Sequence, residues 1–445
     1  MMRTTEDLTP RVAHYNRYLQ QLDDTIHSGR VNQVVGLTIE SIGPTTNIGD
    51  LCLIQPRVGQ GVPAEVVGFR DQKVLLMPLS ELTGVGPGSL VTATGSPLAV
   101  DVSEALLGRV LDGLGNPMDG KGYVPATKRL SVQGRIPKPL ERQRIKSPLS
   151  VGVRAIDGLL TCGRGQRIGV FAGSGVGKST LLGMMARNTE ADVNVIALIG
   201  ERGREVREFL ERDLAPEGMA RSVVVVATSD QPALVRIKGA MVATTIAEFF
   251  RDLGKDVLFV MDSVTRLALA QREVGLATGE PPATRGYTPS VFALLPRILE
   301  RTGPGSVGTI TAFYTVLVEG DDLNEPITDT VRGILDGHIV LNRALAEKNH
   351  YPAIDVLASV SRLMTEVASP EHKTLAGRIR ASMATYADAE DLINIGAYAA
   401  GSNPQIDQAI RLHPSITAFL RQETTEACQW PDTLAKLRAI VGNEQ

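Results

Sequence analysis

The sequence predicts an α/β core between a small N-terminal β-barrel and a C-terminal helical domain. Residues 31–95 consist of short β-rich runs separated by glycine and proline, which is typical of a small barrel. From residue 165 to residue 360, apolar strand patterns alternate with helical stretches, and this alternation predicts a mostly parallel sheet. After Arg362 the strand patterns stop, and the remaining chain has helical periodicity.

The composition is that of an ordinary globular protein. Of the 445 residues, 43% are hydrophobic and 21% are charged, which excludes wholesale disorder. A net charge of −3 and an aromatic content of 4% argue against a nonspecific nucleic-acid binder. The three cysteines, Cys52, Cys162 and Cys428, are isolated and favour a reducing, cytosolic setting. Since no apolar run reaches the ~18 residues of a bilayer span, we expect any membrane contact to be peripheral.

The first segment, residues 1–30, has the pattern of an amphipathic helix. Its apolar residues recur at intervals of four and three and share one face: Leu8, Val12, Tyr15, Leu19, Leu22 and Ile26. The helix either packs on the domain behind it or docks a partner or a membrane surface. The mixed charges on its other face make the membrane version the weaker one.

The barrel is predicted over residues 31–96. Its five β-rich runs are Val34–Ile39, Leu51–Ile54, Ala64–Phe69, Val74–Leu79 and Ser89–Thr94. The glycine-rich stretch Leu111–Gly120 is predicted to form exposed turns, and the basic stretch Arg135–Pro148 a solvated linker.

The α/β core is predicted over residues 97–364, and the helical domain over residues 365–445. Because each core strand is a nearly continuous apolar run, both faces of the sheet should be covered. The candidate strands are Ile168–Phe171, Val195–Ile199, Val223–Ala227, Val257–Met261, Thr309–Val318 and His338–Leu341.

A phosphate-binding loop follows the first core strand. The stretch Ala172–Thr180 lies between the strand Ile168–Phe171 and an apolar helix, which is the context that a P-loop requires. The glycines let backbone N–H groups surround phosphate oxygens, and the helix N-terminus favours negative charge. Ala172 replaces the first glycine of the strict motif but leaves the glycines nearest the phosphates. The predicted nucleotide-binding residues are Gly173, Ser174, Gly175, Val176, Gly177, Lys178, Ser179 and Thr180, with Lys178 on the outer phosphates and Ser179 on Mg²⁺.

Two further strand ends carry acidic residues that suit nucleotide chemistry. Asp262 ends the apolar run Val257–Met261, at the sheet edge where ligands bind, and would hold a Mg²⁺-bound water. Glu201 and Arg202 follow the run Val195–Ile199. Glu201 is the candidate base for an attacking water, and Arg202 would meet the γ-phosphate. By spacing alone, a surface cluster of paired charges explains Glu201 and Arg202 equally well.

The motif Gly200-Glu201-Arg202 and the stretch Tyr351–Arg362 carry a family resemblance. The second stretch reads Tyr-Pro-Ala-Ile-Asp-Val-Leu-Ala-Ser-Val-Ser-Arg. The sequence resembles the rotary-type ATPases related to the catalytic β subunit of F-type ATP synthases. Within that family it is most similar to the flagellum-specific protein-export ATPases, with the ATPases of virulence-type type III secretion injectisomes as close siblings. The supporting stretches are Val151–Leu160, Asn188–Asn194, Ala227–Leu234, Glu280–Ser290 and Val318–Pro326.

The resemblance implies a RecA-like P-loop ATPase core and a role for each site residue. It implies that Lys178, Glu201 and Arg202 are catalytic, and that Ser179 and Asp262 hold Mg²⁺, Asp262 through a water. Arg266 would lie near the phosphates and Tyr351 would pack on adenine. Arg362 would be an arginine finger that acts in trans on a neighbouring subunit's nucleotide. The alternatives are a core aromatic for Tyr351 and a structural ion pair for Arg362.

The function that the resemblance implies is hydrolysis of ATP to ADP, with Mg²⁺ as cofactor. It implies a homohexamer in the cytoplasm, peripheral at the inner face of the cell membrane, that assists export of unfolded flagellar proteins. Implied partners are a stator-like regulator on the N-terminal helix, a coiled-coil stalk protein in the pore, membrane proteins of the export gate, and export substrates with their chaperones. No nucleic acid is expected.

Four alternatives remain open at this point. An injectisome ATPase is hard to separate from a flagellar one. A non-catalytic subunit of the rotary enzymes would lack the catalytic glutamate, so Glu201 speaks against it. A hexameric RNA translocase is disfavoured by the acidic balance and the few aromatics. ATP synthesis in a hetero-hexamer is disfavoured by the N-terminal helix and the flagellar-type stretches.

The apolar face from Leu8 to Ile26, here called the N-terminal stripe, has a role that can be tested by deleting residues 1–26. If the stripe docks a partner, the truncated protein should stay soluble and hydrolyse ATP, but assemble poorly or fail to bind its regulator. Turnover measures ATP hydrolysis, and light scattering measures solubility and assembly. A truncated protein that aggregates or unfolds would show that the stripe belongs to the core.

Overall fold

The computed structural model describes residues 27–318, 322 and 325–442. They form two compact units that divide between Ser96 and Pro97. The predicted N-terminal helix over residues 1–26 lies outside the described residues, and the domain boundaries 1–30, 31–96, 97–364 and 365–445 stay predictions. Among the residues described, no helix is both long and apolar enough to cross a lipid bilayer.

The first unit is a closed six-stranded barrel with the strand order β1-β2-β5-β4-β3-β6. Ile39, Ile54 and Leu76 are fully buried in its interior. The barrel prediction is confirmed, with one more strand than the five runs that were predicted. The strands are β1 (Ser28–Val35), β2 (Thr38–Ile42), β3 (Asp50–Gln55), β4 (Val62–Arg70), β5 (Lys73–Pro78) and β6 (Leu90–Pro97).

The second unit is built on a nine-stranded sheet with the order β19-β18-β12-β17-β15-β13-β14-β8, in which β16 pairs with β17. Every pairing between β8 and β18 along this order is parallel, whereas β19 runs antiparallel to β18 and β16 to β17. The mostly parallel core is therefore confirmed. Its strands, with two small two-stranded pairs, are β7 (Ala99–Val102), β8 (Arg109–Asp112), β9 (Lys128–Ser131), β10 (Pro148–Leu149), β11 (Cys162–Gly163), β12 (Arg167–Ala172), β13 (Val193–Ile199), β14 (Ser222–Ala227), β15 (Asp256–Asp262), β16 (Gly303–Pro304), β17 (Thr309–Leu317), β18 (Gly337–Leu341) and β19 (Ile354–Ser361).

The stretch Leu111–Gly120 differs from the prediction of exposed turns, whereas most of the basic stretch Arg135–Pro148 is exposed, as predicted for a solvated linker, with Arg142 as an exception. Strand β8 enters the stretch Leu111–Gly120, and Leu111 is fully buried because β8 pairs with β14. In the basic stretch, Arg142 donates to the backbone carbonyl of Thr302 at 2.8 Å. Its guanidinium is therefore held by the core and is not solvated.

Helices flank the sheet and make up the C-terminal part of the second unit. They are α1 (Arg154–Leu159), α2 (Lys178–Asn188), α3 (Gly203–Glu208), α4 (Ala215–Met219), α5 (Ala233–Asp252), α6 (Val264–Thr278), α7 (Pro289–Leu299), α8 (Pro326–Ile334), α9 (Arg343–Glu347), α10 (Met364–Val367), α11 (Pro370–Asn394), α12 (Pro404–Leu420) and α13 (Trp430–Gly442). A π-helix spans Phe209–Leu214, and 3₁₀ turns span Glu104–Leu106, Pro139–Glu141 and Thr284–Gly286.

The C-terminal helices have clear sequence signals at their starts. Ser369 caps α11 by accepting the N–H of His372, and Asn403 caps α12 by accepting the N–H of Gln405; a proline follows each cap. Apolar residues of α12 and α13 belong to the same hydrophobic core as the P-loop strand. The prediction of a C-terminal helical domain is confirmed.

Candidate active site

The P-loop connects β12 to α2, as the sequence predicts. Gly175 and Gly177 have φ values of 79° and 87°, the left-handed conformation that glycine adopts at no steric cost. Gly177 immediately precedes α2, so the loop leads directly into a helix N-terminus. The backbone N–H groups there favour anions. Ser174 and Gly175 are exposed, Gly173 and Val176 are buried, and Ser179 and Thr180 are half-buried in the first turn of α2.

Three charged side chains meet at the edge of the sheet where the P-loop begins. Lys178 Nζ donates to Asp262 Oδ1 and lies 3.7 Å from Glu201 Oε1. The three side chains are only 12%, 4% and 13% exposed, respectively. They come from α2, from the end of β15 and from the loop after β13, because the carboxyl ends of parallel strands share one edge. We call Lys178, Asp262 and Glu201 the charged cluster.

The charged cluster holds one lysine beside two carboxylates, and these neighbours shift the pKa values of Lys178 and Glu201. Burial raises the pKa of Glu201 to about 7, and the negative charge of Asp262 acts in the same direction. Burial alone would lower the pKa of Lys178, but the carboxylates of Asp262 and Glu201 raise it. The lysine therefore stays charged, while Glu201 has the near-neutral pKa that suits a general base.

Asp262 is fixed by a residue that the sequence analysis missed. The fully buried hydroxyl of Thr315 donates to Asp262 Oδ1 at 2.7 Å. Thr315 lies on β17, the neighbour of β15, one position beyond the Met261–Tyr314 pair. Because nothing in the sequence specifies this register, no motif signals Thr315 as a site residue.

Arg266 lies beside the loop that carries Glu201. Gly200 has a φ of 73°, and a Cβ at that position would stand 2.8 Å from Arg266 Cβ, so glycine permits this close packing. The backbone N–H of Arg266 donates to Ser263 Oγ at 3.3 Å, which caps α6. Within the described part of the chain, the buried Nε of Arg266 has no hydrogen-bond partner. A buried guanidinium nitrogen without a partner suits an anionic ligand.

The structure does not bring Arg202 into the charged cluster. Its side chain is 71% exposed and lies 3.4 Å from Glu205, the third residue of α3. The contact between Arg202 and a γ-phosphate stays a prediction.

Tyr351 and Arg362 flank the two ends of β19. A Cβ on Gly177 would lie 3.4 Å from Tyr351 Cε1, so the tyrosine ring borders this chain's own P-loop. The ring is 41% exposed, which leaves a face for a ligand. Because β19 is antiparallel to β18, and β18 is parallel to β12, Arg362 emerges at the opposite edge of the sheet.

The distance between these edges exceeds the length of an arginine side chain. Strand β12 spans six residues, and strands rise about 3.3 Å per residue, so the edges are roughly 16 Å apart. The exposed Arg362 side chain forms no salt bridge with any other described residue, and its Nη2 lies 3.5 Å from the carbonyl of Arg332. The structural ion pair that the sequence left open is not seen among these residues.

A P-loop whose lysine meets two carboxylates at the edge of a parallel sheet indicates a nucleotide-hydrolysing enzyme. Comparison with family models gives the same class. The nucleotide-binding domain of the ATP synthase alpha/beta family matches residues 152–361, and the β-barrel domain of that family matches residues 31–95. The C-terminal domain of the T3SS ATPase EscN matches residues 368–439.

Individual relatives show which ATPases within this class the chain is similar to. The chain is 57% identical to the flagellum-specific ATP synthase of Bacillus subtilis (strain 168), over 96% of this chain and 98% of the relative. It is 52% identical to the type 3 secretion system ATPase of Xanthomonas euvesicatoria, over 93% of each. It matches the structure of assembled EscN from enteropathogenic E. coli with a TM-score of 0.88 and 48% identity, over 93% of this chain and 100% of that one.

The chain belongs to the family of flagellum-specific and type III secretion ATPases. It is a nucleotide-binding ATPase, and the predictions of its fold class, family and enzymatic activity are confirmed. EscN has also been solved in complex with its central stalk EscO, and the chain matches that structure with a TM-score of 0.86.

The raised pKa of Glu201 predicts a pH-dependent difference in stability. A carboxyl whose folded-state pKa lies above its unfolded value of 4.5 contributes stability below pH 4.5 that is lost as pH rises through about 7. The Tm of Glu201→Gln, measured without nucleotide, should therefore rise relative to the parent between these pH values and then level off. The upper bound of the effect is roughly 3 kcal/mol.

The control is Glu211→Gln, which removes an exposed carboxylate that pairs with Arg207. Its Tm difference from the parent should stay nearly constant over the same range. A constant difference for Glu201→Gln as well would contradict the raised pKa.

Proposed function

We propose that this protein hydrolyses MgATP as a homohexamer and thereby assists export of unfolded proteins through the flagellar type III secretion apparatus. The observation that carries the proposal is the charged cluster at the P-loop, in a chain 57% identical to a flagellum-specific relative over 96% of its length. The second candidate is the ATPase of a virulence-type injectisome, because the type 3 secretion system ATPase of Xanthomonas euvesicatoria matches at 52% identity.

In the proposed mechanism, the incoming triphosphate takes the place of Asp262 as the partner of Lys178. The phosphates offer the lysine more negative charge than one carboxylate does, and the P-loop N–H groups and Arg266 add further donors. This exchange frees the Asp262 carboxylate while Thr315 keeps it in place. Tyr351 packs on the adenine, and Arg202 moves from Glu205 to the γ-phosphate.

The residues at the P-loop fit a hard divalent cation. The Ser179 hydroxyl and the Asp262 carboxylate are oxygen donors, the type that Mg²⁺ prefers, and Ser179 directly follows the phosphate-binding lysine. Ser179, and Asp262 through a water, would hold Mg²⁺. When bound, the cation would neutralise charge on the phosphates. Glu201 then orients the attacking water and accepts its proton.

Arg362 completes the site of a neighbouring subunit in this proposal. Its own P-loop lies at the far edge of the sheet, so a finger role requires a second copy of the chain. The assembled form of EscN supports a ring, and the EscN–EscO complex supports a coiled-coil stalk in its pore. The remaining partners are a stator-like regulator on the N-terminal helix, export-gate membrane proteins, and export substrates with their chaperones. The ring sits in the cytoplasm at the inner face of the membrane.

The role of Glu201 predicts a separation of binding from turnover. Glu201→Gln keeps the size of the side chain but removes its charge and its basicity. The variant should bind MgATP at least as tightly as the parent, yet hydrolyse it at least ~100-fold more slowly. Nucleotide titration and single-turnover kinetics measure the two properties. Loss of binding with unchanged chemistry would make Glu201 a structural residue.

The trans role of Arg362 predicts rescue in mixed rings. Neither Lys178→Ala nor Arg362→Ala should hydrolyse ATP alone, but co-assembled rings contain interfaces with an intact Lys178 and an intact Arg362. Those interfaces should regain turnover, because such fingers contribute roughly 10³–10⁵ in rate. The control mixes Lys178→Ala with the Lys178→Ala/Arg362→Ala double variant, which creates no complete interface. No recovery in rings that mass measurement shows to be mixed would place Arg362 in cis or outside the mechanism.

A further inference from the structure

The exposed guanidinium of Arg362 depends on a short backbone anchor. Its N–H donates to the carbonyl of Asp336 at 3.1 Å, just before β18 begins. Its side chain gains little support from the described residues, since its hydrogen bond to the Arg332 carbonyl is 3.5 Å long. The direction of the finger is therefore set by whatever fixes Ser361, Arg362 and the Asp336 carbonyl.

Gln166 fixes two of these groups with one side chain. It is fully buried, and its Nε2 donates to the Asp336 carbonyl at 3.0 Å and to Ser361 Oγ at 3.2 Å. Its Oε1 accepts the N–H of Gly163 at 2.8 Å. Both amide hydrogens and the amide oxygen are thus used. The reverse orientation would point the oxygen at the Asp336 carbonyl and the NH₂ at the Gly163 N–H, so the partners determine the orientation.

The partners of Gln166 are themselves held in place. Ser361 Oγ donates to the carbonyl of Thr161 at 2.7 Å. The Asp336 N–H donates to the Arg167 carbonyl at 2.9 Å, and the Arg167 N–H returns a bond to the Asp336 carboxylate at 3.1 Å. A Cβ on Gly337 would lie 2.6 Å from the Val360 carbonyl, so β18 and β19 are in close contact here. This network holds the backbone at the base of Arg362 from several sides.

We propose that Gln166 is a positioning residue for the arginine finger: its buried amide fixes the base of Arg362 for the neighbouring subunit's nucleotide. The inference rests on the proposed trans role of Arg362 and goes beyond it. Gln166 directly precedes β12, whose other end carries this chain's own P-loop. The same strand therefore connects the nucleotide that a subunit binds to the finger that it supplies.

The test places Gln166→Leu in one or the other partner of a mixed ring of full-length chains. In rings of Lys178→Ala with Arg362→Ala, the first subunit supplies the finger and the second binds the nucleotide that is hydrolysed. Adding Gln166→Leu to the Lys178→Ala subunit should lower the rescued turnover about 10- to 100-fold, the scale of a displacement near 1 Å. Adding it to the Arg362→Ala subunit should leave the rescued turnover unchanged.

The two placements distinguish a positioning role from a structural one. Equal losses in both placements would show that Gln166 supports its own P-loop or the general fold, and no loss in either would show that the amide is dispensable; both results overturn the inference. If Gln166→Leu does not assemble, Ser361→Ala removes one acceptor of the same amide and should give a smaller loss with the same asymmetry. Absence of rescue in the parent mixture would instead refute the trans role of Arg362, and this inference with it.

Discussion

Strand β12 imposes the constraint on which both halves of the catalytic apparatus depend. It lies between the parallel strands β17 and β18, and Val170 at its middle is completely buried. Its carboxyl end becomes the P-loop, and its amino end adjoins Gln166 and Asp336, which hold the base of Arg362. The two ends of this six-residue strand are roughly 16 Å apart, so the nucleotide site and the base of the finger are separate places on one buried element. In the proposed ring, the same strand thus positions the nucleotide of one subunit at one end and the base of the finger for its neighbour at the other.

The charged cluster explains how such a site tolerates buried charge before nucleotide binds. Burial is the main cause of the raised pKa of Glu201, and the negative charge of Asp262 adds to it, so the cluster need not hold two full negative charges beside its lysine. A triphosphate that draws Lys178 away would leave Asp262 and Glu201 facing each other. A bound divalent cation would offset that repulsion. Charge balance therefore favours the proposed exchange, in which Lys178 turns from Asp262 to the phosphates and Asp262 holds the cation through a water.

Local motifs were enough to predict much of the fold and part of the site. The P-loop was predictable because strand, glycines and apolar helix are contiguous in sequence, and Asp262 because it ends an apolar strand downstream of that loop. Glu201 also follows a strand, but its spacing left a surface charge cluster equally open, and the family resemblance favoured a site residue. Thr315 and Gln166 were not, because their partners depend on register between strands more than 50 and 160 residues apart in sequence, respectively. Strand β8 was missed because it runs into a glycine-rich stretch, and only its pairing with β14 makes Leu111 a core residue. Arg202 pairs with Glu205 outside the charged cluster, so its contact with the γ-phosphate stays a prediction.

The trans role of Arg362 is tested most directly by an experimental structure of the assembled protein with Mg²⁺ and a non-hydrolysable ATP analogue. The measured quantity is the distance from the Arg362 guanidinium to the γ-phosphate on its own subunit and to that on the adjacent one. The trans role predicts a hydrogen-bonding distance of about 2.9 Å to the adjacent γ-phosphate in at least one closed interface. It also predicts a separation of well over roughly 10 Å from the subunit's own γ-phosphate, as the width of the sheet requires. An Arg362 that contacts its own nucleotide, or none in any interface, would contradict it.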